Sequence, residues 1–126
     1  FNLLKDAALT GNKINTNRLL SDTLIEPDKG LYYLNVINQR LNKLKEINNI
    51  KGSNSLEDKI KNLRPPIFWK DKNTFINQAK LWNSAKIKNM LKETYELEIR
   101  FKSNSNINNN VIIKKLILEL CERANF

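Results

Sequence analysis

Few side chains in this sequence are suited to catalysis. It contains no histidine, and Cys121 is its only cysteine. Histidine general bases, Cys–His nucleophile pairs and Cys/His zinc sites are therefore excluded. An intrachain disulfide is excluded as well, which fits a reducing cytoplasm. Because Cys121 falls in an apolar stretch, we expect its thiol to be buried and inert.

The acidic residues and the glycines form no catalytic or phosphate-binding pattern. Glu96 and Glu98 are two positions apart, so on a helix they point to different sides. Glu93 and Glu96 share a face, as solvated surface carboxylates often do. The three glycines are isolated, and none opens the glycine-rich loop of nucleotide-binding proteins. We therefore expect no catalytic residue, metal ion, cofactor or intrinsic enzymatic activity.

The most informative local feature is a proline-aromatic segment in the middle of the chain. It reads Pro65, Pro66, Ile67, Phe68, Trp69 and Lys70. Two interpretations are open: a stiff connector whose aromatic rings plug the core, or an anchor that a partner protein binds. The core position is favoured for Phe68, whereas Trp69 fits both interpretations. Trp82 follows other apolar residues at helical spacing, so we expect it in the core.

Positive charge is concentrated in one part of the chain. The 126 residues include 22 Lys+Arg and 13 Asp+Glu, and residues 40–92 hold 13 of the basic and 4 of the acidic ones, which is the whole excess of +9. One interpretation is codon bias, since Asn, Lys and Ile fill 52 positions. The other is a surface for nucleic acid or an acidic partner. The candidate interface lysines are Lys72, Lys80, Lys86, Lys88 and Lys92.

Apolar residues recur at three- and four-residue steps along almost the whole chain, which predicts helices and no strands. The predicted helices cover 1–9, 16–25, 28–48, 55–63, 71–82, 84–101 and 111–124. The second is expected to bury Leu19, Leu20 and Leu24, and the third Leu31, Leu34, Ile37, Leu41, Leu44 and Ile47. We expect an all-α bundle of about seven helices in one domain, 1–126. The first one or two helices would precede a five-helix bundle whose centre is the last helix.

Several side chains are expected to fix the ends of these helices. Asp28, Ser55 and Ser84 are predicted N-caps, and Ser55 opens a capping-box pattern. Glu98 and Lys102 are four residues apart in the favourable order for an ion pair. The polar stretches 48–55 and 103–110 are predicted loops.

Read in order, several of these segments resemble the C-terminal region of the delta subunit of bacterial DNA polymerase III. They are Phe1–Gly11, Leu19–Leu20, the long helix from Leu31, Arg64–Lys70, Gln78–Trp82, Glu98–Lys102 and Leu116–Ala124. The resemblance therefore covers nearly the whole chain. Its most specific parts are the proline-aromatic segment with the Gln…Trp helix, and the Glu-x-x-x-Lys that ends before the last apolar helix.

The resemblance implies a role in DNA replication, in the clamp loader that places the sliding clamp on primed DNA. It implies that this chain is a collar domain of a longer subunit, whose AAA+-type module would precede Phe1 and grip the clamp. Collars of this family pack against the collars of the neighbouring tau/gamma and delta prime subunits. The parent subunit would belong to a DNA-directed DNA polymerase, a nucleotidyltransferase holoenzyme.

A second function class stays open beside the collar. The basic excess of residues 40–92 also fits a helical module that binds nucleic acid directly, although a collar alone would bind DNA weakly. No apolar run approaches the ~18 residues that span a bilayer, and the N-terminus lacks a signal-peptide pattern. We therefore expect a soluble cytoplasmic protein without membrane contacts.

Overall fold

Helices account for most of the computed structural model, which describes residues 1–50, 52, 55–103 and 108–126. Within these residues the chain is 80% helical and has no strand, so the predicted all-α fold is confirmed. Seven α-helices follow one another there: α1 Asn2–Leu9, α2 Lys13–Asp22, α3 Gly30–Asn49, α4 Leu56–Ile60, α5 Lys72–Leu81, α6 Ser84–Ser103 and α7 Asn109–Ala124. Residues 51, 53–54 and 104–107 of the predicted loops lie outside the described ones.

Helix α7 lies at the centre of the bundle, as predicted. It packs against α1, α2, α3 and α6, and it buries residues on more than one side. Ile113, Ile117 and Leu120 are fully buried, and the Cys121 thiol is buried among them. An apolar surface wider than one stripe lets a helix contact several neighbours at once.

Helix α1 belongs to this core and does not merely precede it, contrary to the prediction. It packs directly on α7 and α2. Leu4, Ala8 and Leu9 are fully buried, and the small alanine side chain permits close helix packing. The helix ends before Gly11, whose φ of +74° suits glycine.

Helices α3 and α6 are the longest, each with 20 residues, and they pack along each other. Most of the predicted α3 stripe is buried: Leu34, Ile37, Leu41, Leu44 and Ile47. Leu31 is 42% exposed, contrary to prediction, and Tyr33 is buried near it. Asp28 does not cap α3, because it lies within a short 3-10 helix, Pro27–Lys29, that delays the start of α3 to Gly30.

The predicted bounds of the second helix were wrong at both ends. Helix α2 begins earlier because the Asn12 side chain caps it, its Oδ1 accepting from the Asn15 N–H at 3.0 Å. It ends earlier because the chain is extended at Thr23 and at Glu26, the residue before a proline. Leu24 is therefore 78% exposed, and Ile25 is buried in its place.

Two of the other local predictions are confirmed and one is wrong. The Ser55 hydroxyl accepts from the backbone of the first turn of α4 at 3.3 Å, as predicted. Lys102 Nζ donates to Glu98 Oε1 at 3.0 Å on the exposed side of α6. Ser84 is the first residue of α6, not its cap. Asn83 accepts from the Lys86 N–H at 2.9 Å and takes that role. No helix among the described residues is both long and apolar enough to cross a membrane.

Candidate partner-binding surface

The proline-aromatic segment crosses the surface and places two large rings in solvent. We call Pro65–Trp69 the aromatic segment; its end begins a short 3-10 helix, Trp69–Asp71, that leads into α5. Phe68 is 57% and Trp69 is 73% exposed, and their ring centroids lie 5.9 Å apart. The prediction that Phe68 plugs the core is therefore wrong. Leu63 is fully buried just before the segment and Ile67 packs on the core, so the apolar contacts there come from these residues.

Trp82 has the opposite environment at the other end of α5. Its side chain is 1% exposed, which confirms the predicted core position. The indole Nε1 donates to the Leu9 carbonyl at 2.8 Å, and the Trp82 carbonyl accepts from Asn48 Nδ2 at 2.9 Å. The ring and its backbone thus join the ends of α1, α3 and α5.

Helix α5 is held in place by a polar contact that the sequence interpretation missed. Gln78 is fully buried, and its Nε2 lies 3.3 Å from Asp6 Oδ1 and 3.4 Å from the Asp6 carbonyl. Its Oε1 accepts from Arg40 at 3.5 Å, and the Arg40 guanidinium lies 5.3 Å from the centroid of the Phe75 ring. The spacing of Gln78, three residues after Phe75 and four before Trp82, marks it as part of the buried face of α5.

The predicted interface lysines do not form one continuous rim. Lys72 begins α5 directly after the 3-10 helix and is half-buried, and Lys70 Nζ lies 5.4 Å from the Trp69 ring centroid. Lys86 lies in the first turn of α6, beyond the other end of α5, a ten-residue helix ~15 Å long. Its Nζ donates to the carbonyls of Leu81 at 3.0 Å and of Phe126 at 2.7 Å. The other three, Lys80, Lys88 and Lys92, are exposed on α5 and α6.

Two charged side chains have altered acidity because of burial. Lys5 is only 7% exposed, and burial lowers the pKa of its ammonium, while the Asp6 carboxylate 3.4 Å away acts in the opposite direction. Between α6 and α7, partial burial and the neighbouring Glu93 raise the pKa of Glu119. Glu93 also pairs with Arg123 at 3.3 Å.

The arrangement of these surface residues is suited to binding a partner. In the described part of the chain, no three His, Cys, Asp or Glu side chains come together as metal ligands would. What the surface does present is a pair of aromatic rings on a fixed segment, with an ammonium group beside one of them. Aromatic side chains of this kind are typical energetic centres of protein interfaces.

Comparison with known proteins found no match for this chain. No protein-family model, curated protein or solved structure matches the chain. The resemblance to the delta subunit therefore depends on the sequence segments named above, and the exposed aromatic pair is an independent observation.

Proposed function

We propose that this chain is a non-catalytic scaffold in DNA replication, the collar of a clamp-loader subunit that assembles with neighbouring subunits. The observation that carries the proposal is the pair of adjacent exposed aromatic rings, Phe68 and Trp69, whose centroids lie 5.9 Å apart. A contiguous apolar patch on a well-packed protein is typical of an interaction site. The resemblance to delta supplies the class of partner.

The aromatic segment is held in a fixed conformation, which favours binding. Lys43 Nζ donates to the Pro65 carbonyl at 2.9 Å, and the Asp71 N–H donates to the Phe68 carbonyl at 2.9 Å. Two consecutive prolines further restrict the backbone. A preorganised anchor loses less conformational entropy when a partner binds it.

The charge beside the anchor favours acidic partner surfaces. Lys70 lies against the Trp69 ring, and Lys72 follows at the start of α5. Positive groups at the rim of an apolar contact increase the rate of association with a negative surface. Under this proposal the neighbours are the collars of tau/gamma and delta prime, and the sliding clamp is bound by the N-terminal module of the parent subunit.

The test is to replace Trp69 and measure assembly. We expect Trp69→Ala to weaken assembly with the purified tau/gamma and delta prime subunits by ~1–3 kcal/mol, the usual range for an aromatic anchor. Tyr95→Ala is the matched control, because Tyr95 is 62% exposed on α6, outside the aromatic segment. Titration calorimetry or a quantitative pull-down with the parent subunit gives the affinities.

Two outcomes would contradict the proposal. One is unchanged assembly of Trp69→Ala, and the other is an equal loss with Tyr95→Ala. A separate check is the gene sequence upstream of the codon for Phe1. An AAA+-type module encoded there supports the clamp-loader assignment, and an unrelated domain overturns it.

A second function is supported by the basic excess of residues 40–92, of which Lys80, Lys88 and Lys92 are exposed. Such a surface would bind nucleic acid through its phosphates. Its affinity for a DNA oligonucleotide would then fall steeply between low and physiological salt. A collar that acts through protein contacts would show weak DNA binding at both salt concentrations.

A further inference from the structure

A groove lies between α3, the start of α1 and the aromatic segment. Its volume is about 710 Å³, and Lys5, Arg40 and Lys43 line it together with Pro65 and Ile67. We infer that this groove binds an extended acidic segment of a partner protein. The inference rests on the proposed function and deepens it, because it specifies the chemistry of one partner segment.

Three of the four charged side chains that line the groove are positive, and the carboxylates of Asp6 and Asp71 lie near enough to interact with Lys5. Glu46 is the acidic residue of its lining, and Lys43 already pairs with it at 3.4 Å. Arg40 is held by neutral groups, the Gln78 amide and the Phe75 ring, and among the described residues no carboxylate lies within ion-pair distance of it. A ligand that brings carboxylates would therefore meet complementary charge.

Lys5 is an unusual lining residue for the groove, because it is charged and almost fully buried. Its side chain is nearly buried, and Asp6, the one ion-pair partner that it has among the described residues, also accepts from Gln78. Burial without full compensation disfavours the charged form, which is why the pKa of Lys5 is lowered. A carboxylate bound in the groove would stabilise the charged form, so a residue that is unfavourable in the free protein becomes favourable in the complex.

A row of amide side chains gives the groove its fit to a peptide backbone. Asn35, Gln39 and Asn42 follow one another on α3 at steps of four and three residues, all exposed and all lining the groove. Each amide has both a donor and an acceptor, as a peptide unit has, whereas a phosphate accepts only. Four helical residues span ~6 Å, close to two residues of extended chain. Asn35 and Gln39, which are one such step apart, can therefore pair with alternate peptide units, and Asn42 adds a third amide three residues further on.

Part of the groove wall is apolar. Pro65 and Ile67 line it there, and Val36 adds an apolar side chain from α3. Side chains of an extended peptide point alternately to two sides. A segment in which acidic and apolar residues alternate would thus direct carboxylates to Arg40 and Lys43 and apolar groups to this wall.

Fluorescence anisotropy on the 126-residue chain tests the inference. The probe is a short fluorescein-labelled peptide of alternating Asp and Leu, compared with its Lys/Leu counterpart and with labelled oligothymidylate. We expect the acidic peptide to bind most tightly. Gln39→Glu should weaken its binding roughly tenfold or more, since a new carboxylate repels the ligand and removes an amide donor. Lys61→Glu on the exposed surface after α4 introduces a carboxylate outside the groove and should change the affinity much less.

Gln39 is exposed, so Gln39→Glu should leave the fold intact, and a thermal melt verifies this. The inference is overturned if the acidic peptide does not bind, if the Lys/Leu peptide or oligothymidylate binds as tightly, or if Lys61→Glu has the same effect as Gln39→Glu. If only the peptide result fails while Trp69→Ala still weakens assembly, the groove assignment alone is wrong. If the peptide binds in the groove and Trp69→Ala has no effect on assembly, the proposed function is wrong.

Discussion

The two tryptophans lie on either side of the same helix in opposite environments. Trp69 precedes α5 and is 73% exposed, whereas Trp82 follows α5 and is 1% exposed. The indole N–H of Trp82 is hydrogen-bonded to the Leu9 carbonyl, and the Trp69 ring contacts only its neighbours Phe68 and Lys70 among the aromatic and cation–π contacts of the described residues. One ring stabilises the fold, and the other is available to a partner.

The difference arises from the backbone on each side of α5. At the C-terminal end, Phe75, Gln78 and Trp82 share the face that packs on α1 and α3, so the last ring continues a buried stripe. At the N-terminal end Phe68 lies in irregular chain after two prolines and Trp69 begins a short 3-10 helix, so the period of the buried α5 stripe does not extend to either ring. Position relative to the helix, not residue type, therefore decides which tryptophan is buried.

The largest expected effect is the loss of stability when the buried tryptophan, Trp82, is replaced. Trp82→Ala should lower the free energy of unfolding by ~3–5 kcal/mol, because it leaves a cavity and removes the link to Leu9. Trp69→Ala is the matched control and should change it by less than ~0.5 kcal/mol. Urea unfolding followed by circular dichroism measures both. Similar losses of unfolding free energy for the two variants would show that Trp69, like Trp82, belongs to the core.

A smaller effect is expected from the polar contact beneath α5. Gln78→Leu retains most of the side-chain volume but removes the hydrogen bonds to Asp6 and Arg40, which should destabilise the protein by ~1–3 kcal/mol. Asn77→Leu changes the exposed neighbouring position and serves as the control. If both variants unfold at the same urea concentration as the parent chain, Gln78 does not hold α5 in place.

The sequence predicted the buried residues better than the exposed ones. The all-α fold, the central position of α7 and the burial of Trp82 follow from apolar residues at helical spacing, which depends only on local periodicity. Phe68 was misplaced because no period governs an irregular segment. Leu24 was misplaced because α2 ends at Asp22, where the chain becomes extended before Pro27, and spacing alone does not locate the end of a helix.

The candidate binding surfaces could be predicted only in part. The aromatic segment and the basic excess are visible in the sequence, but the groove joins α1, α3 and residues 65–67, which are distant in the chain. Lys5 and Arg40 come together only after α1 packs into the core, a placement that the predicted five-helix bundle did not include. Lys86 was expected at the interface, and the backbone carbonyls that its amine binds are also set by tertiary structure.

The smallest expected effect concerns Glu119, whose side chain is only partly buried. Glu119 is half-buried on α7, and burial together with Glu93 raises its pKa in the folded protein. A carboxyl group whose folded pKa is raised favours the folded state below its unfolded pKa, and that contribution is lost as the pH rises through the folded pKa. At neutral pH the ionised Glu119 therefore opposes folding slightly.

Glu119→Gln should accordingly raise the free energy of unfolding by a few tenths of a kcal/mol at pH 7, since it removes the repulsion from Glu93. The gain should shrink as the pH falls towards the ordinary glutamate value of 4.5, because the raised pKa leaves Glu119 mostly protonated there in the wild type. Glu122→Gln, exposed on the same helix, controls for the loss of one negative charge. Urea unfolding of the three proteins at several pH values gives the comparison. A gain of the same size at every pH, or the same gain for Glu122→Gln, would show that net charge and not the Glu93–Glu119 contact is responsible.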